Sequence, residues 1–306
     1  FVMGTRELAD KRFPTAQLEV ASAALGVSVD GVIGTDILLA SPFQINYSKQ
    51  ELMFGPLSSF NKPGKEIKLI RSEDDFFVPL QIHSVPINLL LDSGSNSTNL
   101  SWGTWQKLLQ VWQPNSVVDG VMRAGFSAPP AFFVCLPNLS VGGNMLMDQV
   151  VRVQRQVSDG AFADANFGGI LGSEFLRQFV VTFDLANNRI FLKKDPLFKR
   201  DLYRFTAVGF QFARQTDNTY AVMGIWKNSP AQEAGIKVGD RILSVNGVPT
   251  QSLSSDQLSG QLHGAEGTTV RLLMKRNSVV SAVTLHTRQM LCSPHNVPDQ
   301  LRASQK

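Results

Sequence analysis

VPINLLLDSGSNSTNL, residues Val85 to Leu100, is the stretch from which the rest of this chain can be read. Its first seven residues are almost all aliphatic and read as a β-strand buried on both faces. The strand delivers one carboxylate, Asp92, into the turn Ser93-Gly94-Ser95. An acid in such a place is costly to bury unless it is hydrogen-bonded or shares a proton. Gly94 lets the backbone fold back beside the carboxylate. Ser93 and Ser95 can offer it hydroxyls and backbone N–H groups. Taken alone, Asp-Ser-Gly is an ordinary turn after a strand.

A second motif changes that. About 77 residues later comes Gly169-Ile170-Leu171-Gly172, then a helix-like segment and another strand. The same order stands earlier in the chain. GVIGTDILLASPFQINYSKQELMF, from Gly31, parallels GGILGSEFLRQFVVTFDLANNRIFL, from Gly168. Both run glycine, two apolar residues, glycine, a short helix, an aromatic strand, a polar turn and an apolar strand. This is an internal repeat of one supersecondary unit.

A strand into Asp-Ser-Gly-Ser, followed later by Gly-Ile-Leu-Gly, resembles one lobe of a retropepsin- or pepsin-like aspartic peptidase, as in the bacterial aspartyl protease family. The resemblance implies a mainly β, bilobal β-barrel fold. Residues 1–58 would be the back part of a first lobe and residues 65–196 a second lobe, joined by a Pro- and Gly-containing linker at Gly55 to Glu66. Only about 30 residues precede Gly31. The Asp-[Ser/Thr]-Gly of the first lobe would therefore lie upstream of Phe1.

The chemistry that the resemblance implies is amide hydrolysis without a covalent intermediate. Two aspartates share one proton, because like charges so close cannot both ionise. The ionised member takes a proton from the attacking water, and the protonated member hydrogen-bonds the substrate carbonyl. Asp92 would be one of the two. By resemblance Ser95 hydrogen-bonds the carboxylate, Ser93 braces the two turns against each other, and Gly94 is the turn glycine. The chain departs from the family in showing one Asp-Ser-Gly where a monomeric enzyme needs two. The second could stand upstream, two chains could meet as a homodimer, or the protein could be an inactive peptide binder; the first is the expectation.

A different unit begins near Tyr203. Ser229-Pro230 starts a helix, with Ser as N-cap and Pro at the first helical position, and Gly235 ends it. Ser254 and Ser255 cap a second helix running to Leu262. The string SPAQEAGIKVGDRILSVNG resembles the PDZ domains of bacterial envelope proteases, over residues 203–290. That implies binding of an extended peptide as an added strand. The loop Val208, Gly209, Phe210, Gln211 and Phe212 would hold the peptide end, although it departs from the usual Gly-Leu-Gly-Phe pattern. Residues 291–306 read as a polar, frayed tail.

Composition narrows the alternatives. The chain has 306 residues, 43% hydrophobic and 18% charged, with a net charge of +4. That is globular, and its scattered basic residues make no stripe for nucleic acid. No apolar run approaches a membrane span. No signal peptide is visible, and an extracytoplasmic location follows only from the resemblance. The histidines are isolated, so neither a metal nor another cofactor is expected. A serine protease fits poorly, since Gly-x-Ser-x-Gly is missing. Cys135 and Cys292 match no metal or redox spacing; two unrelated thiols are expected, with one disulfide the alternative. His83, at a hairpin tip, reads as solvated. Trp105, Leu108, Leu109 and Trp112 share a helix face and read as core. The segment from Val117 to Cys135 reads as a mobile loop or a plain hairpin.

Overall fold

The computed structural model describes residues 29–60, 63–114, 117–121, 131–200 and 205–292, together with 2–3, 6–7 and residue 18. Most of residues 8–28, where the sequence reads as short strand-like runs from Phe13 to Ala24 and from Val27 to Val29, lies outside the described residues, as do residues 122–130 and 293–306. The protein is mainly β, as the sequence implies.

The sheet around Asp92 has eight strands and closes on itself, because strand Ala131–Val141 pairs both with Asn144–Gln154 and with Asp75–Ile82. The hairpin of Asp75–Ile82 and Val85–Leu91 turns at His83 and Ser84, both at positive φ. Strand Val85–Leu91 alternates. Ile87 and Leu89 are buried, while Pro86 and Asn88 are exposed. The expectation of burial on both faces is thus corrected. Its partner Asp75–Ile82 alternates in the same way, so one face of the ladder packs on the core and the other meets solvent.

Helix Trp102–Leu109 starts on Ser101, whose side chain accepts from the Thr104 N–H. Trp105 and Leu108 are buried, and Leu109 and Trp112 pack beside them. Trp112 lies past the helix end and stacks on His83, with ring centroids 4.8 Å apart. His83 is therefore half-buried and not solvated, and burial lowers its imidazole pKa.

A five-stranded sheet joins the two copies of the repeat. Its order is Glu51–Phe54, Phe43–Asn46, Phe179–Asp184, Arg189–Lys194 and Lys65–Lys68. Gln44 lies opposite Thr182, and its Nε2 donates to Thr182 Oγ1 at 2.7 Å across a separation of 138 residues. The same offset carries helix Thr35–Leu38 onto helix Ser173–Leu176. It also carries the pairs Val2↔Glu7 and Met3↔Arg6 onto Ser140↔Met145 and Val141↔Asn144. In an antiparallel ladder, residues of equal offset that face each other lie on a local twofold axis. That axis passes between Gln44 and Thr182, so each hairpin is the rotated image of the other.

The last unit is a separate sheet, ordered Phe210–Arg214, Tyr220–Ile225, Arg241–Val245, Thr269–Arg276 and Val279–His286, with Val248–Pro249 beside Arg241–Val245. Helices Pro230–Glu233 and Ser255–Leu262 begin as expected, on Ser229 and on a capping box made by Ser254 and Gln257. Tyr220, Ile242, Val245, Leu258 and Val270 fill its core. Strand Thr206–Ala207 pairs with Arg288–Gln289, which the sequence did not signal. Leu291 is buried and Cys292 is bonded to Cys135, so the chain is tied down through Cys292 and the tail expected from residue 291 does not begin there.

Candidate functional site

The Asp92 turn is held from three sides. The Asp92 N–H donates to Leu171 O at 3.2 Å. Asp92 Oδ1 accepts from Gly94 N at 2.8 Å and from Ser95 N at 3.2 Å. Ser95 O accepts from Ser173 N at 2.7 Å, which fastens the turn to the start of the helix behind it. The carboxylate is partly exposed, with Oδ1 pinned by two backbone N–H groups and Oδ2 bound by no protein donor among the described residues.

Strand Gly169–Leu171 runs between the two strands that flank the turn. It is parallel to Val85–Leu91, with Ile170 beside Leu90, and antiparallel to Asn99–Leu100, with Gly169 beside Leu100. Such a crossing leaves no room for side chains. A Cβ on Gly172 would lie 2.3 Å from Ser97 O, and one on Gly168 would lie 2.2 Å from Asn88 O. A Cβ on Gly169, which has φ +133, would lie 2.1 Å from Asn99 O. The glycines of the second motif are thus required by the close approach of backbone behind Asp92.

The expected serine roles are partly redrawn. The Ser95 hydroxyl donates to Ser97 O at 2.9 Å, so Ser95 meets the carboxylate through its backbone N–H and not through its side chain. Ser93 is exposed at the apex of the turn, and Gly94 beside it is exposed too. Sequence reasoning passed over Thr98 and Asn99, both buried. Asn99 Nδ2 donates to Ser97 O at 2.8 Å, and Thr98 Oγ1 accepts from Gly172 N at 3.4 Å. Both stand in the polar run from Ser95 to Asn99, where nothing in the composition signals their burial.

The expected peptide-binding loop begins the sheet of the last unit. Val208 and Phe210 are buried in its core, while Gln211 and Phe212 are half-buried. Gly209 has φ +88, and a Cβ there would lie 2.2 Å from the Ser229 Cβ. Strand Phe210–Arg214 is an edge strand of this sheet. Phe210, Leu258 and Leu262 pack in one apolar cluster, so helix Ser255–Leu262 and the edge strand face a common seam. An edge strand beside such a seam can accept an extended peptide by hydrogen-bonding its backbone. The Val208 N–H is already spent on Leu262 O at 3.3 Å, which removes one amide from carboxylate capture.

The thiols are corrected as well. Cys135 and Cys292 form a disulfide with Cα atoms 5.4 Å apart, across 157 residues of sequence. Pairing at that separation has no local signature in a chain with two cysteines. Among the described residues no helix is long and apolar enough to cross a membrane. Among the same residues no group of three or more His, Cys, Asp or Glu is placed to hold a metal ion.

Comparison with known proteins bears mainly on the last unit. Residues 222–276 match the family model of the PDZ domain. The chain is 38% identical over 76 residues to a carboxyl-terminal-processing protease of Synechocystis, covering 24% of this chain and 18% of that protein. It is 34% identical over 89 residues to the chloroplastic carboxyl-terminal-processing peptidase 1 of Arabidopsis thaliana, covering 28% and 18%. The chain thus spans about a fifth of the length of these curated relatives. A retropepsin-like aspartic protease from Rickettsia conorii superposes over 41% of this chain and 87% of its own, at 18% identity and a TM-score of 0.30.

Proposed function

We propose that this chain is part of an aspartic endopeptidase whose PDZ domain binds peptide or substrate. The observation that carries the reading is the crossing behind Asp92, together with the twofold axis between Gln44 and Thr182. In this reading the same twofold would set a second turn opposite the first. Residues 1–58 are read as the back part of a first lobe, residues 65–196 as the second lobe, and residues 203–290 as the PDZ unit.

In this reading Asp92 and a second aspartate share one proton and titrate as a pair. Water between them is deprotonated by the ionised member as it attacks the peptide carbonyl. Gly94 N and Ser95 N hold Asp92 Oδ1 in place and leave Oδ2 for water or for the partner carboxyl. Ser93, exposed at the apex of its turn, would brace a facing turn in this reading. The Cys135–Cys292 disulfide supports an oxidising, extracytoplasmic compartment.

The test is Asp92→Asn in the full-length gene product. Peptide cleavage is expected to fall by about 10²–10⁴-fold or more, with unchanged circular dichroism and unfolding midpoint. Retained cleavage would sink the reading. A second reading is a non-enzymatic peptide binder, supported by the PDZ match at residues 222–276, which needs no catalytic residue. Peptide binding at the PDZ groove without any cleavage by the full-length protein would select it.

A further inference from the structure

The PDZ domain does not stand clear of the rest of the chain. Phe205, Ala207, Trp226 and Leu291 are buried in a cluster with Val118, against which Phe133, Cys135 and Val150 pack. Val118, Phe133, Cys135 and Val150 belong to the sheet around Asp92. The aromatic rings run Phe133, Phe205, Trp226, with centroids 5.2 Å and 6.0 Å apart. Asp119 Oδ2 accepts from Lys227 Nζ at 2.8 Å and from Arg155 Nη2 at 3.0 Å, and Asp119 O accepts from the Lys227 N–H at 3.1 Å.

This contact reaches the peptide-binding loop directly. Trp226 N donates to Gly209 O at 3.0 Å, and Ser229 Oγ donates to the same oxygen at 3.1 Å. The segment leading into the loop is divided between two cores. Phe205 and Ala207 belong to the cluster shared with the Asp92 sheet, whereas Val208 and Phe210 belong to the PDZ core. Shifting one cluster against the other must therefore move the backbone between Ala207 and Phe210.

We infer that Asp119, Trp226 and Lys227 are positioning residues for the Val208–Phe212 loop, so that the sheet carrying Asp92 sets the conformation of the PDZ peptide site. Asp119 clamps residue 227 by side chain and backbone, Trp226 transmits that clamp to Gly209 O, and the Cys135–Cys292 disulfide holds the two faces together. The inference rests on the peptide-binding reading of the loop only for its functional consequence.

The experiment is hydrogen exchange on the full oxidised chain, comparing wild type with Lys227→Met, Asp119→Asn and the double variant Cys135→Ser/Cys292→Ser. Arg241→Met, which removes an ion pair to Asp217 inside the PDZ domain, is the control. Exchange in residues 205–214 is expected to rise about fivefold or more in the three test variants, with strand Thr269–Arg276 unchanged. Unchanged exchange at 205–214 in Lys227→Met and Asp119→Asn would overturn the inference. If one variant loosens Thr269–Arg276 as well, the other two decide. A decapeptide selected by the wild-type chain from a random library with free carboxyl ends is then titrated. Its affinity is expected to fall about tenfold in Asp119→Asn and to hold in Arg241→Met, and equal affinity in both would overturn the inference. A wild-type chain that selects no peptide counts against the peptide-binding reading alone, and the exchange data still decide the positioning.

Discussion

The two copies of the repeat share a short helix, a strand pair and the turn between them, but have opposite surroundings. Leu171 is 0% exposed between the strands flanking Asp92, but its counterpart Ile33 is 41% exposed and Val32 beside it 78%. Ile190 and Phe191 are 0% and 8% exposed, whereas their counterparts Leu52 and Met53 are 48% and 42%. Strand Lys65–Lys68 covers the edge of Arg189–Lys194, while Glu51–Phe54 is the last strand of its sheet among the described residues. The glycines differ in the same way. A Cβ on Gly169 would strike backbone at 2.1 Å, and one on Gly31 would meet nothing within 4 Å. The first copy thus keeps the residues of a covered crossing without the cover, and that asymmetry is the physical content of the two-lobe reading.

Substitutions at the glycines sharpen this comparison most. Gly172→Ala forces a methyl group against Ser97 O and is expected to cost about 1–3 kcal/mol. Gly31→Ala in this same chain should change stability by about 0.5 kcal/mol or less. Urea unfolding monitored by tryptophan fluorescence separates the two. Equal costs would mean that Gly31 is already enclosed and would break the contrast.

The axis itself gives the next effect. Thr182→Val leaves buried Gln44 Nε2 without its acceptor and should lower stability by about 1–3 kcal/mol. The double variant with Gln44→Leu should recover part of that loss, because both polar partners are then gone. A recovery of zero would show that the pair does not couple the hairpins.

A smaller effect distinguishes the PDZ domain from both copies. Hydrogen bonds from Arg276 hold the buried Asp240 carboxyl below the usual carboxylate range. A depressed folded-state pKa contributes stability that is fully present above the unfolded pKa and lost as pH falls through the folded value. Acid titration of unfolding is therefore expected to weaken the PDZ domain below about pH 4. Asp240→Asn should be less stable at neutral pH and should flatten that dependence. An unchanged acid slope in Asp240→Asn would assign the loss to other groups.

Much of the site was legible because its signals are local. A strand ending in Asp-Ser-Gly-Ser, the glycine motif behind it, the repeat and the helix caps at Ser229 and Ser254 are all short patterns with a backbone reason. What was missed depends on choices among partners that no short pattern fixes. Ser95 has a choice of acceptors within two residues, and the choice of Ser97 O follows from the loop that Asn99 Nδ2 draws together. Burial of His83 depends on Trp112, which reaches it from beyond the end of another element. The Cys135–Cys292 bond and the Asp119–Lys227 clamp join segments 157 and 108 residues apart, and neither has a sequence motif. The alternation in Val85–Leu91 was misread because an aliphatic run hides which of its faces is covered.

The most direct measurement of the two-lobe claim is the coding sequence upstream of the Phe1 codon. The account predicts a hydrophobic strand ending in Asp-[Ser/Thr]-Gly whose aspartate precedes Asp92 by close to the 138 residues that separate Gln44 from Thr182. A reading frame that holds no such turn upstream would contradict it, and would leave Asp92 without a partner from its own chain.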